Sequence, residues 1–504
     1  MTGSMPADKP AVAQRATAEH RLPDLAKVSQ RRVAATAAAD LSARVATVML
    51  GIVTTALLAR HLGVSGFAAM NYALAWGLLF APLTDFGLRQ AAVNRLSVRT
   101  IAPSEIAGSV LLLRMIMSVV FAAIAAILAI ATAPDATVAL GSLIVCVGML
   151  FSSPGILVAV IQTAMKPSWV IVSNAVSSLG WTVMALLLIA FDAGPVVLVA
   201  GSTVVGIAAS LVAAWMATRL TTIGRPSRAA VMSLLRLSIP LGLGAIAVVV
   251  YYRVASILVY QIAGPDEAGY YTAAFRLVDQ IQIVPVAIVG ALFPLMSEAA
   301  VTDPARLQRL VAATWEILLG IALPVVAIGM AVAHPLAGLL FGADFRGPTG
   351  DVIIVIWPVV IAIFLGYLGG ALVPAINIVR IWILIAFAGA GINLALNAIL
   401  IPQFGADGAA VATLATEFPV MIATLWIAAR RAHLSLPWSR VVRMGLVAAI
   451  AGLTSAALLF MSLIPAVVGG AAAYVLGLHV LRVIDLRSLS QAVRHPRELV
   501  RSIG

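Results

Sequence analysis

The chain has 504 residues, of which 62% are hydrophobic and only 10% charged, and its mean hydropathy is +1.08. Those values exclude a soluble domain and require a chain that lives in a bilayer. The net charge of +12 does not mark a nucleic-acid binder, because the basic residues are scattered through short loops in a topological pattern. The single cysteine, Cys146, excludes an intrachain disulfide.

Residues 1–35 form a polar, basic tail without an apolar core, read as cytoplasmic and not as a cleaved signal peptide. The first spanning segment runs from about Ala37 to Arg60, and its polar residues, Asp40, Arg44, Thr47 and Thr54 among them, keep one face. Asp40 and Arg44, at i and i+4, are spaced for an ion pair near the headgroups. Five further segments follow, to about Thr218, and a basic loop with Arg219, Arg225 and Arg228 closes the first half. The second half repeats the scheme from about Leu234 to Ala429, and two more spans, about Val441–Leu463 and Ile464–Leu481, precede a basic tail.

These segments predict an all-α integral membrane protein of about fourteen transmembrane helices. Its regions are a tail (1–35), a first six-helix lobe (36–218), a linker (219–233), a second lobe (234–431), two C-terminal helices (432–482) and a second tail (483–504). Charge placement orients the map. Arg60 and Arg346 are assigned to one side, Arg44, Arg114, Arg236, Arg253 and Arg276 to the spans, and the rest of the 32 Lys and Arg to the other side. By the positive-inside rule that side is the cytoplasm, which places both termini there in a cell inner (plasma) membrane.

The stretch from Val250 to Gln280 carries the chemistry. Gly264-Pro265-Asp266-Glu267 cannot continue a helix, so two apolar helices meet in a turn at Gly264 to Ala268. Arg253 and Arg276 then sit roughly 12–16 Å below the turn, near the middle of a hydrocarbon layer of roughly 30 Å. A charge at that depth must face a polar interior. Thr272, Arg276, Asp279 and Gln280 fall at i, i+4, i+7 and i+8 and are expected to line a central cavity that receives an anion. The alternative is that Arg276 and Asp279 only neutralise each other.

Shifting the chain by 201 residues aligns LGVSGFAAMNYA, from Leu62, with AGPDEAGYYTAA, from Ala263. With six spans on each side of the central loop, this argues for two six-helix lobes around a central cavity, related by an axis along the membrane normal, with substrate between them near the midplane. Tyr251, Tyr252, Tyr270, Tyr271 and Trp76 are candidates to stack on a ligand, or else interfacial anchors. Pro240, Pro285 and Pro294 are candidate bending points or packing kinks. Asp40, Glu316 and Glu417 are candidates to carry a coupled proton; the alternative is the ion pair with Arg44 for Asp40 and a satisfied carboxylate near a helix end for Glu316 and Glu417. The sequence has no metal-ligand cluster, no GxSxG elbow and no phosphate-cradling Gly-Lys-Ser/Thr loop, so no cofactor and no enzymatic activity are expected.

Four stretches, His61–Val93, Ala263–Glu298, Phe341–Phe345 and Asn397–Glu417, resemble recurring blocks of the polysaccharide transporter branch of the multidrug/oligosaccharidyl-lipid/polysaccharide (MOP) flippase superfamily. PQFGADGAAVAT, within the last of them, is the most telling piece. The resemblance implies alternating access by rocking of the lobes and, as cargo, a lipid-linked oligosaccharide on undecaprenyl diphosphate, moved from inner to outer leaflet. It also implies that Arg44, Arg253 and Arg276, by place, form the cationic site. The expected partners are the lipid-linked glycan, membrane lipids and polysaccharide polymerase machinery. A lipid II flippase, a drug/cation antiporter and a membrane glycosyltransferase or polymerase are the alternatives.

Overall fold

The computed structural model describes residues 30–481 except Arg99, Met165, Lys166 and Pro437; side chains are described from Ala46 onward, omitting 167–168, 171, 240–241, 243–252 and 438–439. Residues 1–29 and 482–504, and the side chains of Asp40, Arg44, Pro240, Tyr251 and Tyr252, therefore lie outside the described residues, while the last residues of the expected N-terminal tail, from Gln30, already belong to the first helix. Residues 1–46 and 47–504 are separate units by their contacts, and the helix packing and both cavities belong to the second.

All regular elements among the described residues are helical. The first half comprises α1 (Gln30–Asp85), α2 (Leu88–Val98), α3 (Pro103–Thr132), α4 (Ala136–Phe151), α5 (Val158–Thr163), α6 (Pro167–Ala190) and α7 (Pro195–Thr218). The second half comprises α8 (Arg228–Ala263), α9 (Pro265–Ile281), α10 (Ile283–Thr302), α11 (Pro304–Ala331), α12 (Ala333–Phe341), α13 (Arg346–Ile356), α14 (Val359–Ala375) and α15 (Val379–Arg431), followed by α16 (Trp438–Leu458) and α17 (Leu463–Val480). Starts are set locally. Proline occupies the first turn of α3, α7, α9 and α11, where its missing N–H costs nothing. The side chains of Asp135, Ser227 and Asp303 accept from the backbone N–H of Val138, Ala230 and Arg306.

By length and composition, nine helices among the described residues can cross a membrane, or eleven if each bent pair is one span. The bends have visible causes. One of 43° follows Ser152, where Pro154 and Gly155 interrupt the helix, and one of 41° falls at Pro358. Two of the nine, Ala46–Val98 and Val379–Arg431, have 53 residues each. At about 1.5 Å per residue each is roughly 80 Å long, more than twice a hydrocarbon layer. Each is broken by a glycine off the helical backbone, Gly63 (φ 66°, ψ −175°) and Gly405 (φ 54°, ψ −129°). The last two helices part at residues 459–462, ahead of the Ile464-Pro465 break expected from sequence, because proline is accommodated in the first turn of α17.

The offset of 201 residues now has a structural counterpart. Gly63 and Gly264 (φ 96°, ψ 175°) both reverse the chain with positive φ and extended ψ. The twin turns touch: Ser65 Oγ donates to Asp266 Oδ1 at 2.8 Å. Around them Arg60 on α1 donates to the carbonyls of Leu339 and Leu340 at the end of α12, and Phe67 meets Phe345 edge to face. The far ends of the helices also meet. Leu88, Ala91 and Ala92 of α2 share a buried cluster with Ala230 and Leu234 of α8, and Phe86 fills the space beside Gly242. Large apolar side chains such as Ile127 (67% exposed), Leu384 (70%) and Leu453 (72%) stand outward, as a lipid-facing surface requires.

Candidate functional site

Only Gly264 separates α8 from α9, so the turn is shorter than the sequence reading, which ran it to Ala268. Proline can open a helix, so Pro265 already belongs to α9. Arg253 and Arg276 then lie eleven and twelve residues from Gly264, nearly level at about 17 Å along their helices.

The two guanidiniums take different partners. Arg253 Nη1 donates to Asp279 Oδ2 at 2.9 Å, and the other oxygen of Asp279 accepts from Gln282 Nε2 at 3.2 Å. Gln282 Oε1 in turn accepts from the hydroxyl of Tyr367 on α14 at 3.2 Å. Gln282 holds this place because Pro285 interrupts the backbone ladder and ends α9 at Ile281. Arg276 Nη2 reaches across to the first half and donates to Asn71 Oδ1 on α1 at 2.7 Å. The expected alternative of Arg276 neutralised by Asp279 is replaced by Arg253 with Asp279 and Arg276 with Asn71.

These groups stand between two cavities. The larger, about 830 Å³, is bordered by Arg253, Gln282, Tyr367, Trp382 and Glu417 and by many apolar side chains of α10, α14 and α15. The smaller, about 490 Å³, is bordered by Arg276, Asn71, Trp181, Ser178, Ser202 and Thr203, mostly within the first half. Leu78 and Ala81 of α1 border both. Between them a space of about 20 Å³ touches Asn71, Arg253, Thr272, Arg276 and Asp279; it has room for about one water.

The remaining sequence candidates divide. Thr272, 8% exposed, borders the small central space, but Gln280 does not share that face. Its amide packs on Gly51 of α1, where a Cβ would lie 3.3 Å from Nε2. One residue beyond Asp279 turns a side chain by about 100°, enough to carry it off the cavity. Glu417 is buried and borders the larger cavity. Glu316 borders neither cavity; it accepts from Arg440 between α11 and α16. Of the aromatic candidates, Trp76 is buried against Tyr72 and Phe80, Tyr271 is buried with its hydroxyl 3.4 Å from that of Thr413, and Tyr270 meets the edge of Phe345. None of these three borders either cavity, so their role is packing. Pro285 marks the α9–α10 break, whereas Pro294 sits inside α10.

Sequence reasoning passed over Asn71, Gln282, Tyr367, Trp382 and Trp181. Asn71 carried a usable signal, an amide alone in the apolar run FAAMNYALAW, since a polar group at that depth needs a partner. The rest are placed by helix packing. Among the described residues, no group of three or more His, Cys, Asp or Glu is placed to hold a metal ion. What the site offers is two cations at one depth, one facing each cavity, with planar forks suited to phosphate oxygens.

A family described as "Polysaccharide biosynthesis protein" matches residues 34–300. Comparison with curated proteins gives no match. Among solved structures, the fold is similar to the lipid II flippase MurJ in an inward closed conformation, with a TM-score of 0.75 at 13% identity over 87% of this chain and 97% of that one. It is also similar to an inward-facing multidrug resistance MATE family transporter of the MOP superfamily, with a TM-score of 0.64 at 14% identity over 78% of this chain and 98% of that one. A MOP superfamily transporter from Pyrococcus furiosus Vc1 (DSM3638) gives a TM-score of 0.53 at 15% identity over 78% and 95%.

Proposed function

The chain belongs to the family described as "Polysaccharide biosynthesis protein", and on that premise we propose that it is a polysaccharide-branch flippase of the MOP superfamily that moves a polyprenyl-diphosphate-linked oligosaccharide repeat unit from the inner to the outer leaflet of the plasma membrane. In this reading it is a multi-pass membrane transporter and not an enzyme. Residues 36–218 and 234–431 are then lobes that rock about a central site, both termini are cytoplasmic, and the Gly63 and Gly264 turns face outward. Polysaccharide polymerase machinery takes the delivered unit.

The observation that carries the reading is the pair Arg253 and Arg276, eleven and twelve residues from Gly264 on adjoining helices and each bordering a cavity. A diphosphate carries several negative oxygens through a layer where an unpaired charge is costly, and two guanidiniums supply donors that stay protonated there. Asp279 accepts from one nitrogen of Arg253, and Asn71 from one nitrogen of Arg276. Substrate oxygens then compete with Asp279 for Arg253 and add to Asn71 at Arg276.

The test is depletion of the protein followed by identification of the lipid-linked glycan that collects on the cytoplasmic side. A polyprenyl-diphosphate oligosaccharide supports the reading, and accumulation of lipid II in its place overturns the cargo. Complementation with Arg253→Ala and with Arg276→Ala, at normal protein levels, should fail to restore export; normal export by both would overturn the arginine site.

A further inference from the structure

We infer that the first-half cavity is the glycan subsite, so that the cargo lies with its sugars among α1, α6 and α7 while its diphosphate rests on Arg253 and Arg276. The inference rests on the transport reading above and adds the direction in which the cargo lies.

The two cavities differ in chemistry. The one beside Arg276 is bordered by Ser178, Ser202, Thr203 and Asn71, which are hydroxyl and amide groups, and by the indole of Trp181. Ser202 Oγ and Thr203 Oγ1 each donate to the carbonyl of Val199, at 2.8 and 2.9 Å. Those bonds fix the rotamers and use the hydroxyl hydrogens, leaving oxygen lone pairs to accept from sugar hydroxyls. Trp181 is half-buried, and a flat indole face suits the slightly positive C–H face of a sugar ring. No carboxylate is among the described residues bordering this cavity, so a chain of neutral or acidic sugars meets no fixed negative charge.

The cavity beside Arg253 is different. Val286, Val289, Ile363, Val420 and Met421 border it, and its polar groups, Arg253, Gln282, Tyr367, Thr424 and Glu417, include a carboxylate that the first-half cavity lacks among the described residues. Apolar side chains border the first-half cavity as well, Leu58, Phe67, Met70 and Met149 among them, but it also presents the hydroxyls of Thr55, Ser152, Ser177, Ser178, Ser202 and Thr203 against only Tyr367 and Thr424 in the other. A glycan hydroxyl left unpaired away from water is costly, so the cavity richer in partners is favoured. The first-half cavity, at about 490 Å³, is also of a size for a short oligosaccharide, since small-molecule pockets run from roughly 300 to 1,000 Å³. Arg276 and Asn71 stand at its border, which puts the diphosphate at the cavity mouth and the first sugar just inside.

The test uses full-length protein in vesicles and two fluorescent probes, polyprenyl diphosphate bearing a tetrasaccharide and polyprenyl diphosphate bearing one sugar. Trp181→Ala should slow movement of the tetrasaccharide probe about tenfold, as expected for loss of a stacking face with its burial, and leave the one-sugar probe within about twofold. Trp181→Phe should keep most of the rate, and Ser202→Ala with Thr203→Val should repeat the selective loss. Equal loss of both probes, or loss of neither, overturns the glycan subsite while transport stands. If the unaltered protein moves neither probe, the transport reading falls and takes the subsite with it.

Discussion

A single methyl group at Gly269 should force open the end of the molecule where the twin turns meet. Gly269 lies in the second turn of α9 and packs on Val64 beside the opposite turn; a Cβ there would stand 2.7 Å from both Val64 O and Cγ1. Ordinary contact begins near 3.4 Å, so Gly269→Ala requires the two turns to separate by roughly 0.7 Å. Overpacking of that kind costs about 1–3 kcal/mol. The strain exists only while the turns touch, so it weighs against the closed arrangement and lowers its population relative to an open one about 5- to 150-fold. Ser65 and Asp266 report on that contact because their side chains are 2.8 Å apart. With the sole cysteine removed as Cys146→Ala, a Ser65→Cys/Asp266→Cys pair should cross-link readily under mild oxidation, and adding Gly269→Ala should slow the cross-link. Gly391→Ala, where a Cβ meets nothing within 4 Å, is the control. Cross-linking as fast with Gly269→Ala as without it would refute the argument.

Two further outcomes follow from partners in the structure. Arg253→Ala leaves Asp279, 14% exposed, without its 2.9 Å partner, so it should destabilise the protein by about 3 kcal/mol. Adding Asp279→Asn should recover much of the melting temperature in detergent but none of the export; a double variant no more stable than Arg253→Ala would show that the pair is not what stabilises the site. Glu316→Gln removes only the pairing with Arg440, whose side chain is 55% exposed. Partly exposed pairs contribute about 0–1 kcal/mol, so export and its pH profile should stay near normal, and a lost pH dependence would restore Glu316 as a coupling residue.

Much of the architecture was legible in sequence because the bilayer imposes rules that act on short windows. Apolar runs mark helices, and glycine and proline mark breaks. Arg253 and Arg276 could be picked out as unusual by depth alone, and the offset from Leu62 to Ala263 located the turns that prove to touch. Errors arose where a rule of local composition was applied to a residue whose surroundings come from another helix. Trp76 and Tyr271, read as either ligand-stacking or interfacial aromatics, are buried in the core; Trp181 and Tyr367, at unremarkable places in the sequence, border the cavities.

By itself, then, the sequence determined that the chain is helical and membrane-embedded and that its two halves turn near Gly63 and Gly264, since each depends on a residue's own chemistry and its neighbours in the chain. Only the tertiary structure decided that Asp279 answers Arg253 while Asn71 answers Arg276, that Gln280 leaves the cavity face for Gly51, and that two chemically different cavities adjoin at Leu78. The reason is physical: which groups a guanidinium meets depends on the packing and rotation of neighbouring helices, and a rotation of about 100° per residue carries a side chain from one partner to another.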